Sequence, residues 1–225
     1  MQACCCLTRK DSDKAEAVAR RRSKSTHMTR NPLKSYRKHP MEQQFQDELC
    51  EAPYIAKLQK TLGSIHARWP SGPSQVLEFL YLGGEEDATN LKLLDSIGVT
   101  HVINCASGYI STGQDFYGPS VKYMGFDAED EEDYKIMQHF EEVFNVIEDA
   151  RKSGGKVLIH CIMGVNRSGA LTVAYCMLFK NIGPISSARF VQKSRPMLLS
   201  NEGFQRQVVT FSREKGLMEL DKDFL

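Results

Sequence analysis

Lys156-Val157-Leu158-Ile159-His160-Cys161-Ile162-Met163-Gly164-Val165-Asn166-Arg167-Ser168 joins a short apolar run to the start of a helix. Lys156–His160 predicts a buried strand, and Ser168–Lys180 reads as a helix. A strand followed by a turn and a helix start sets successive backbone N–H groups around a concave site, and the helix dipole adds positive potential there. That is a cradle for an oxyanion.

Working outward, strand and helix patterns alternate. Val76–Leu82, Thr100–Cys105 and Val121–Phe126 read as strands. Glu86–Ile97 reads as a helix closed by Gly98, and Asp133–Lys152 as a long helix with Ile136, Phe140, Val143, Phe144 and Ile147 on one face. Pro184–Lys193 and Asn201–Lys215 complete the helices. This order predicts an α/β fold with a central, mostly parallel sheet flanked by helices, whose ligands bind beyond the carboxyl ends of the strands. Trp69-Pro70-Ser71-Gly72-Pro73 reads as a turn. Before it, Phe45, Leu49, Tyr54, Ile55, Leu58 and Leu62 suggest a helical lead-in of two pieces separated by Pro53. The predicted organisation is a disordered basic arm over 1–40, the lead-in over 41–72, a catalytic domain over 73–217 and a tail over 218–225.

The 225 residues, 41% of them hydrophobic, suffice for one domain with tails. Seven cysteines, an odd number, with no signal peptide and no apolar span of membrane length, point to a reducing compartment, cytosol or nucleus. The net charge of +1 is unevenly spread: residues 1–40 carry +8 and residues 41–225 carry −7. The two parts should seek different partners.

Cys161 stands at the mouth of the cradle, where the N–H groups, the helix terminus and Arg167 all favour thiolate over thiol. It is the candidate nucleophile, with His160 beside it. Arg167 can bring its planar fork over the phosphoryl oxygens in two-point contact, a geometry that lysine lacks. Ile162, Met163, Gly164, Val165, Asn166 and Arg167 are the candidate substrate-binding residues. Gly164 stands where the backbone must pass close to the ligand or take a positive φ, and Ser168 can donate a hydrogen bond to the departing thiolate. An isolated His-Cys pair is more often structural. His-Cys followed after five residues by Arg, with Gly164 and a hydroxyl at 168, would arise by chance in roughly one sequence of this composition in ten thousand, so the catalytic reading is taken.

The stretch from Val76 to Gly216 resembles the catalytic domain of dual-specificity protein phosphatases, of the cysteine-based protein tyrosine phosphatase superfamily. The matches are Phe79-Leu80-Tyr81-Leu82-Gly83, Ile97-Gly98-Val99-Thr100-His101-Val102-Ile103-Asn104, the Cys161 signature, and Asn201-Glu202-Gly203-Phe204. The resemblance implies a phosphocysteine intermediate hydrolysed by water, no metal or organic cofactor, and activity on phosphotyrosine and phosphoserine or phosphothreonine. A general acid must protonate the leaving oxygen. The run Phe126-Asp127-Ala128-Glu129-Asp130-Glu131-Glu132-Asp133 offers several acids and does not choose among them. Aligning the family's helical aromatic on Phe140 implies Asp130, with Asp127 second. In two places the chain departs from the family: Gly169 replaces the usual Ala and Ser200 the usual Pro.

Ile162, Met163, Val165 and Asn166 are uncharged, which speaks against a multiply phosphorylated lipid. An RNA 5′-triphosphatase, which shares the Asn166-Arg167-Ser168-Gly169 run, needs a basic groove, so no nucleic acid is expected with −7 on residues 41–225. The expected substrate is a phosphoprotein. In a second reading the chain is a kinase-docking module, with Arg20-Arg21-Arg22-Ser23-Lys24 and Leu33 meeting an acidic groove; the same run fits a nuclear import signal or a solvated tail. Cys4-Cys5-Cys6 ahead of the basic arm fits S-acylation and a membrane surface, or a terminus left unmodified. Gln2 excludes N-myristoylation. Cys105, expected at a neighbouring strand end, is either a buried structural thiol or a partner that protects an oxidised Cys161 as a disulfide.

Overall fold

The computed structural model describes residues 40–63 and 70–224. The basic arm, with Cys4–Cys6, Arg20–Lys24 and Leu33, and also Trp69, lie outside the described residues. Five strands, β1 (Ser74–Leu77), β2 (Leu80–Gly83), β3 (His101–Asn104), β4 (Lys122–Gly125) and β5 (Val157–His160), form one sheet in the order β1-β2-β5-β3-β4. β2, β5, β3 and β4 are parallel and β1 pairs antiparallel at the edge. β5 lies at the centre with every residue buried. A parallel strand covered on both faces has no polar side, which is why Val157–His160 shows no alternation.

The helices are α1 (Pro40–Leu62), α2 (Glu85–Thr89), α3 (Leu91–Ile97), α4 (Gln114–Tyr117), α5 (Phe140–Lys152), α6 (Arg167–Lys180), α7 (Pro184–Gln192) and α8 (Glu202–Glu214). Leu80, Leu82, Ile103, Val157 and Ile159 share a large core with Leu58, Val143, Ile147, Ala170, Ile185 and Phe204. Tyr81, Val102 and Leu158 point the other way, onto Ala88, Leu94 and Tyr117. The alternation along each strand thus supplies two cores, and α6 is buried over Arg167–Met177. The fold is the mixed α/β architecture read from the sequence.

The elements differ in detail from the sequence reading. Val76–Leu82 is a hairpin, not one strand: the chain turns at Glu78-Phe79 and Leu77 lies opposite Leu80. No Gly, Pro or Asn marks that turn. Glu86–Ile97 is two helices, because Asn90 ends α2 and its side chain caps α3 by accepting the N–H of Leu93 at 3.1 Å. The long helix begins at Phe140, after a 3-10 turn over Ile136–His139. The lead-in is one helix of 23 residues with Pro53 inside it. Pro53 faces solvent, where the carbonyl it cannot bond meets water, while Tyr54 and Leu58 anchor the helix in the core.

Residues 218–225, read as a tail, include a 3-10 helix over Met218–Phe224. Its Asp221 is fully buried and accepts the backbone N–H groups of Ile185 and Ser186 and the Ser186 hydroxyl. These N–H groups open α7, where no helical partner exists for them. Gly183 makes room: a Cβ there would lie 2.4 Å from the Asp221 carboxyl carbon. Asp221→Ala should lower unfolding free energy by about 1–3 kcal/mol in a urea titration, because the buried Ile185 N–H and the half-buried Ser186 N–H and hydroxyl lose their acceptor. An unchanged midpoint would show that this cap contributes nothing.

Candidate active site

β2, β5 and β3 end in register, Gly83 and Asn104 both beside His160. The chain leaves these ends through Gly84, Cys161 and Cys105, so three loops meet at the carboxyl edge of the sheet. The 161–166 loop is shaped from outside. The carbonyl of Ile162 accepts from Glu85 N–H at 2.9 Å, that of Met163 from Arg195 Nη2 at 2.7 Å, that of Gly164 from Arg195 Nε at 3.1 Å, and that of Val165 from Leu199 N–H at 2.9 Å. Four successive carbonyls are therefore turned outward. In a trans peptide the next N–H points the opposite way, so the N–H groups of Met163, Gly164, Val165 and Asn166 are turned inward. None of the four donates a hydrogen bond among the described residues. Gly164 has φ +64°, and a Cβ there would sit 2.3 Å from the Gly83 carbonyl oxygen.

Around this ring stand the side chains singled out in the sequence. Cys161 is 1% exposed, and its Sγ accepts the Ser168 hydroxyl at 3.3 Å. Arg167, also buried, donates Nη1 to the Ala128 carbonyl at 3.1 Å. Its buried Nε makes no hydrogen bond and lies 3.9 Å from Asp130 Oδ2. The same guanidinium faces the Tyr109 ring at 5.6 Å. His160 lies beneath, inside the sheet, and burial pushes its imidazole pKa down to about 4, which keeps it neutral near pH 7. Burial also pushes the Cys105 thiol strongly upward, with the neighbouring Cys161 adding to the effect.

The two candidate acids are placed differently. Asp130 accepts Asn166 Nδ2 at 3.1 Å on one oxygen and Asn201 Nδ2 at 3.0 Å on the other. Asn166 in turn accepts the Ser200 hydroxyl and the Asn201 N–H, both at 3.0 Å. Its side chain therefore serves the acid loop while its N–H faces the cradle. Asp127 instead accepts Gly108 N–H at 3.2 Å and ties down the loop that carries Tyr109.

Sequence reasoning missed Arg195, Asp87 and Tyr109. Arg195 is 3% exposed, and its Nη1 lies 3.9 Å from Asp87 Oδ2. Burial raises the Asp87 pKa, opposed by the Gly84 N–H and by Arg195. Nothing local marks Arg195, since the carbonyls it holds lie some thirty residues earlier. Among the described residues no group of three or more His, Cys, Asp or Glu could hold a metal ion, and no helix is long and apolar enough to cross a membrane.

The family model for the dual specificity phosphatase catalytic domain matches residues 80–214. MAP kinase phosphatase with leucine-rich repeats protein 3 of Dictyostelium discoideum is 34% identical over 153 residues, which is 68% of this chain and 17% of that protein. Dual specificity protein phosphatase 26 of Homo sapiens is 34% identical over 136 residues, covering 60% of this chain and 64% of that one. The crystal structure of DUSP15 superposes with a TM-score of 0.60 at 28% identity, covering 69% of this chain and 96% of the other. The chain belongs to the dual specificity phosphatase catalytic-domain family. It spans between 17% and 64% of the length of these curated relatives.

If Arg195 turns the loop carbonyls outward, Arg195→Met should lower kcat/KM on an aryl phosphate by about a hundredfold, the cost of misplacing a site by roughly 1 Å. Arg195→Lys, which lacks the fork, should fall nearly as far. Activity within about threefold of wild type in both folded variants would show that the loop holds itself.

Proposed function

We propose that this chain is a dual-specificity protein phosphatase that hydrolyses phosphotyrosine and phosphoserine or phosphothreonine in proteins through a phosphocysteine intermediate, with residues 73–217 as its catalytic domain. The observation that carries this reading is the set of inward N–H groups without partners, over Met163–Asn166, beside the unbonded Nε of Arg167. Successive N–H groups left without a protein acceptor form an anion-binding concavity, and together with Arg167 they fit the oxygens of one tetrahedral oxyanion at the sulfur of Cys161.

In the first step the thiolate of Cys161 attacks phosphorus and the bond to the substrate oxygen breaks, its electron pair leaving with that oxygen. Asp130 supplies the proton. In the second step water attacks phosphorus while Asp130 accepts a proton, and the sulfur leaves as a thiolate steadied by the Ser168 hydroxyl. The N–H groups and Arg167 hold the equatorial oxygens throughout, where negative charge is stabilised most effectively. Asn166 and Asn201 fix the plane of the Asp130 carboxyl, each through one oxygen. The rim beside them includes Glu131, Glu132 and Glu202, an acidic surface that suits a phosphorylated side chain in a protein better than a polyanionic RNA end.

Cys161→Ser should reduce turnover of an aryl phosphate to below about a thousandth while the fold is retained. More than about a tenth of wild-type activity in that variant is incompatible with a nucleophilic Cys161. Asp130→Ala should impair phosphoserine peptides far more than activated aryl phosphates, since a stable leaving group needs little protonation. Asn166→Ala should show the same leaving-group dependence at smaller amplitude. Should Asp127→Ala show it and Asp130→Ala not, the acid is Asp127.

A further inference from the structure

α1 has two opposed faces. On one, Tyr54 and Leu58 are buried, and Glu51 accepts Thr210 Oγ1 at 2.8 Å and Arg213 Nε at 2.6 Å. Asp47 lies 3.3 Å from the same arginine. At about 100° per residue, Met41, Phe45, Leu49, Ala52 and Ala56 fall in a single stripe on the opposite side. Met41 is 73% exposed, Phe45 59% and Leu49 54%. Scattered exposed apolar residues are ordinary, but three large ones in line at successive helical turns are not. Within Pro40–Leu49 every residue except Asp47 is exposed, and a helical stretch of that length is marginal when it packs on nothing.

We infer that this stripe pairs with the same stripe of a second copy, antiparallel across a two-fold axis. Size selects this occupant first. The large side chains lie in the N-terminal half of the stripe and the alanines in the C-terminal half. Antiparallel pairing sets Phe45 against Ala56 and Leu49 against Ala52 of the second copy, so large side chains meet small ones and the helices approach closely. Charge selects it again. Beside the stripe, the N-terminal half bears Glu42 and Glu48, and the C-terminal half Lys60. Glu42 and Lys60 lie on the same edge of the stripe, so each Glu42 meets Lys60 of the other copy, twice over. A parallel pair would set like charges together. The surface is self-complementary and closes on itself as a dimer, without further growth. It is small, a few side chains from each copy, which makes the dimer a weak, concentration-dependent one.

The test is sedimentation velocity of the full chain from about 1 to 200 μM, at low salt to preserve surface pairs, with a reductant so that exposed Cys50 cannot cross-link. Wild type should pass from monomer to dimer, and Phe45→Glu/Leu49→Glu should stay monomeric while hydrolysing an aryl phosphate at the wild-type rate. Glu42→Lys and Lys60→Glu should each weaken dimerisation by about tenfold, because both contacts become repulsive. An equimolar mixture of those two variants should recover wild-type affinity, since both contacts are then attractive. A wild type that remains monomeric overturns the proposal, as it would if the stripe were reserved for a different protein. So does a mixture that stays as weak as its components, or a dimer indifferent to Phe45→Glu/Leu49→Glu.

Discussion

Four outward-turned carbonyls are the constraint on which the site depends. An isolated turn after a strand has no reason to point its N–H groups at one spot, since each peptide plane is free to rotate. Here Glu85, Arg195 and Leu199 fix four consecutive planes from three separate parts of the chain. The approach is close enough that Gly83, Gly84 and Gly164 must all lack a side chain. A Cβ on Gly84 would lie 2.9 Å from the Ile162 carbonyl oxygen, and one on Gly83 about as close to Asp87. Preorganisation of this kind is what makes buried dipoles effective towards developing charge, because nothing need rearrange when the charge arrives.

The proposed acid, Asp130, is held differently, as a bridge between loops. Asp130 belongs to the segment after β4, Asn166 to the turn after β5, and Ser200 and Asn201 to the start of α8. The hydroxyl of Ser200 donates to Asn166, a contact that the usual proline of the family cannot make. Gly203 allows the two loops to meet, since a Cβ there would overlap the Glu132 backbone. A parallel sheet ending in register gives three loops a common meeting place, and side-chain amides then set their spacing.

How much of this the sequence disclosed follows from how local each interaction is. The Cys161-to-Ser168 run was legible because the strand, the turn and the helix start are contiguous, and the alternation of elements around it pointed to a parallel sheet. The hairpin at Glu78-Phe79 escaped because an apolar run continues through it without turn residues. The break at Asn90 escaped because Asn caps a helix only once its hydrogen bond is seen. Pro53 misled in the other direction, since tertiary anchoring by Tyr54, Leu58 and Glu51 outweighs its local effect. Arg195 was invisible because its partners are carbonyl groups, which carry no sequence signature. The choice between Asp127 and Asp130 rested on resemblance alone, and it is the long-range contacts to Gly108, Asn166 and Asn201 that separate the two positions.

The most direct measurement is a crystal structure of the protein with bound orthovanadate, a trigonal stand-in for the phosphoryl group in transfer. The account predicts vanadium bonded to Cys161 Sγ, with its equatorial oxygens accepting from the N–H groups of Met163, Gly164, Val165 and Asn166 and from Arg167 Nε, and with Asp130 facing the apical oxygen. Vanadate bound away from Cys161, or a loop whose carbonyls turn inward when it binds, would contradict it.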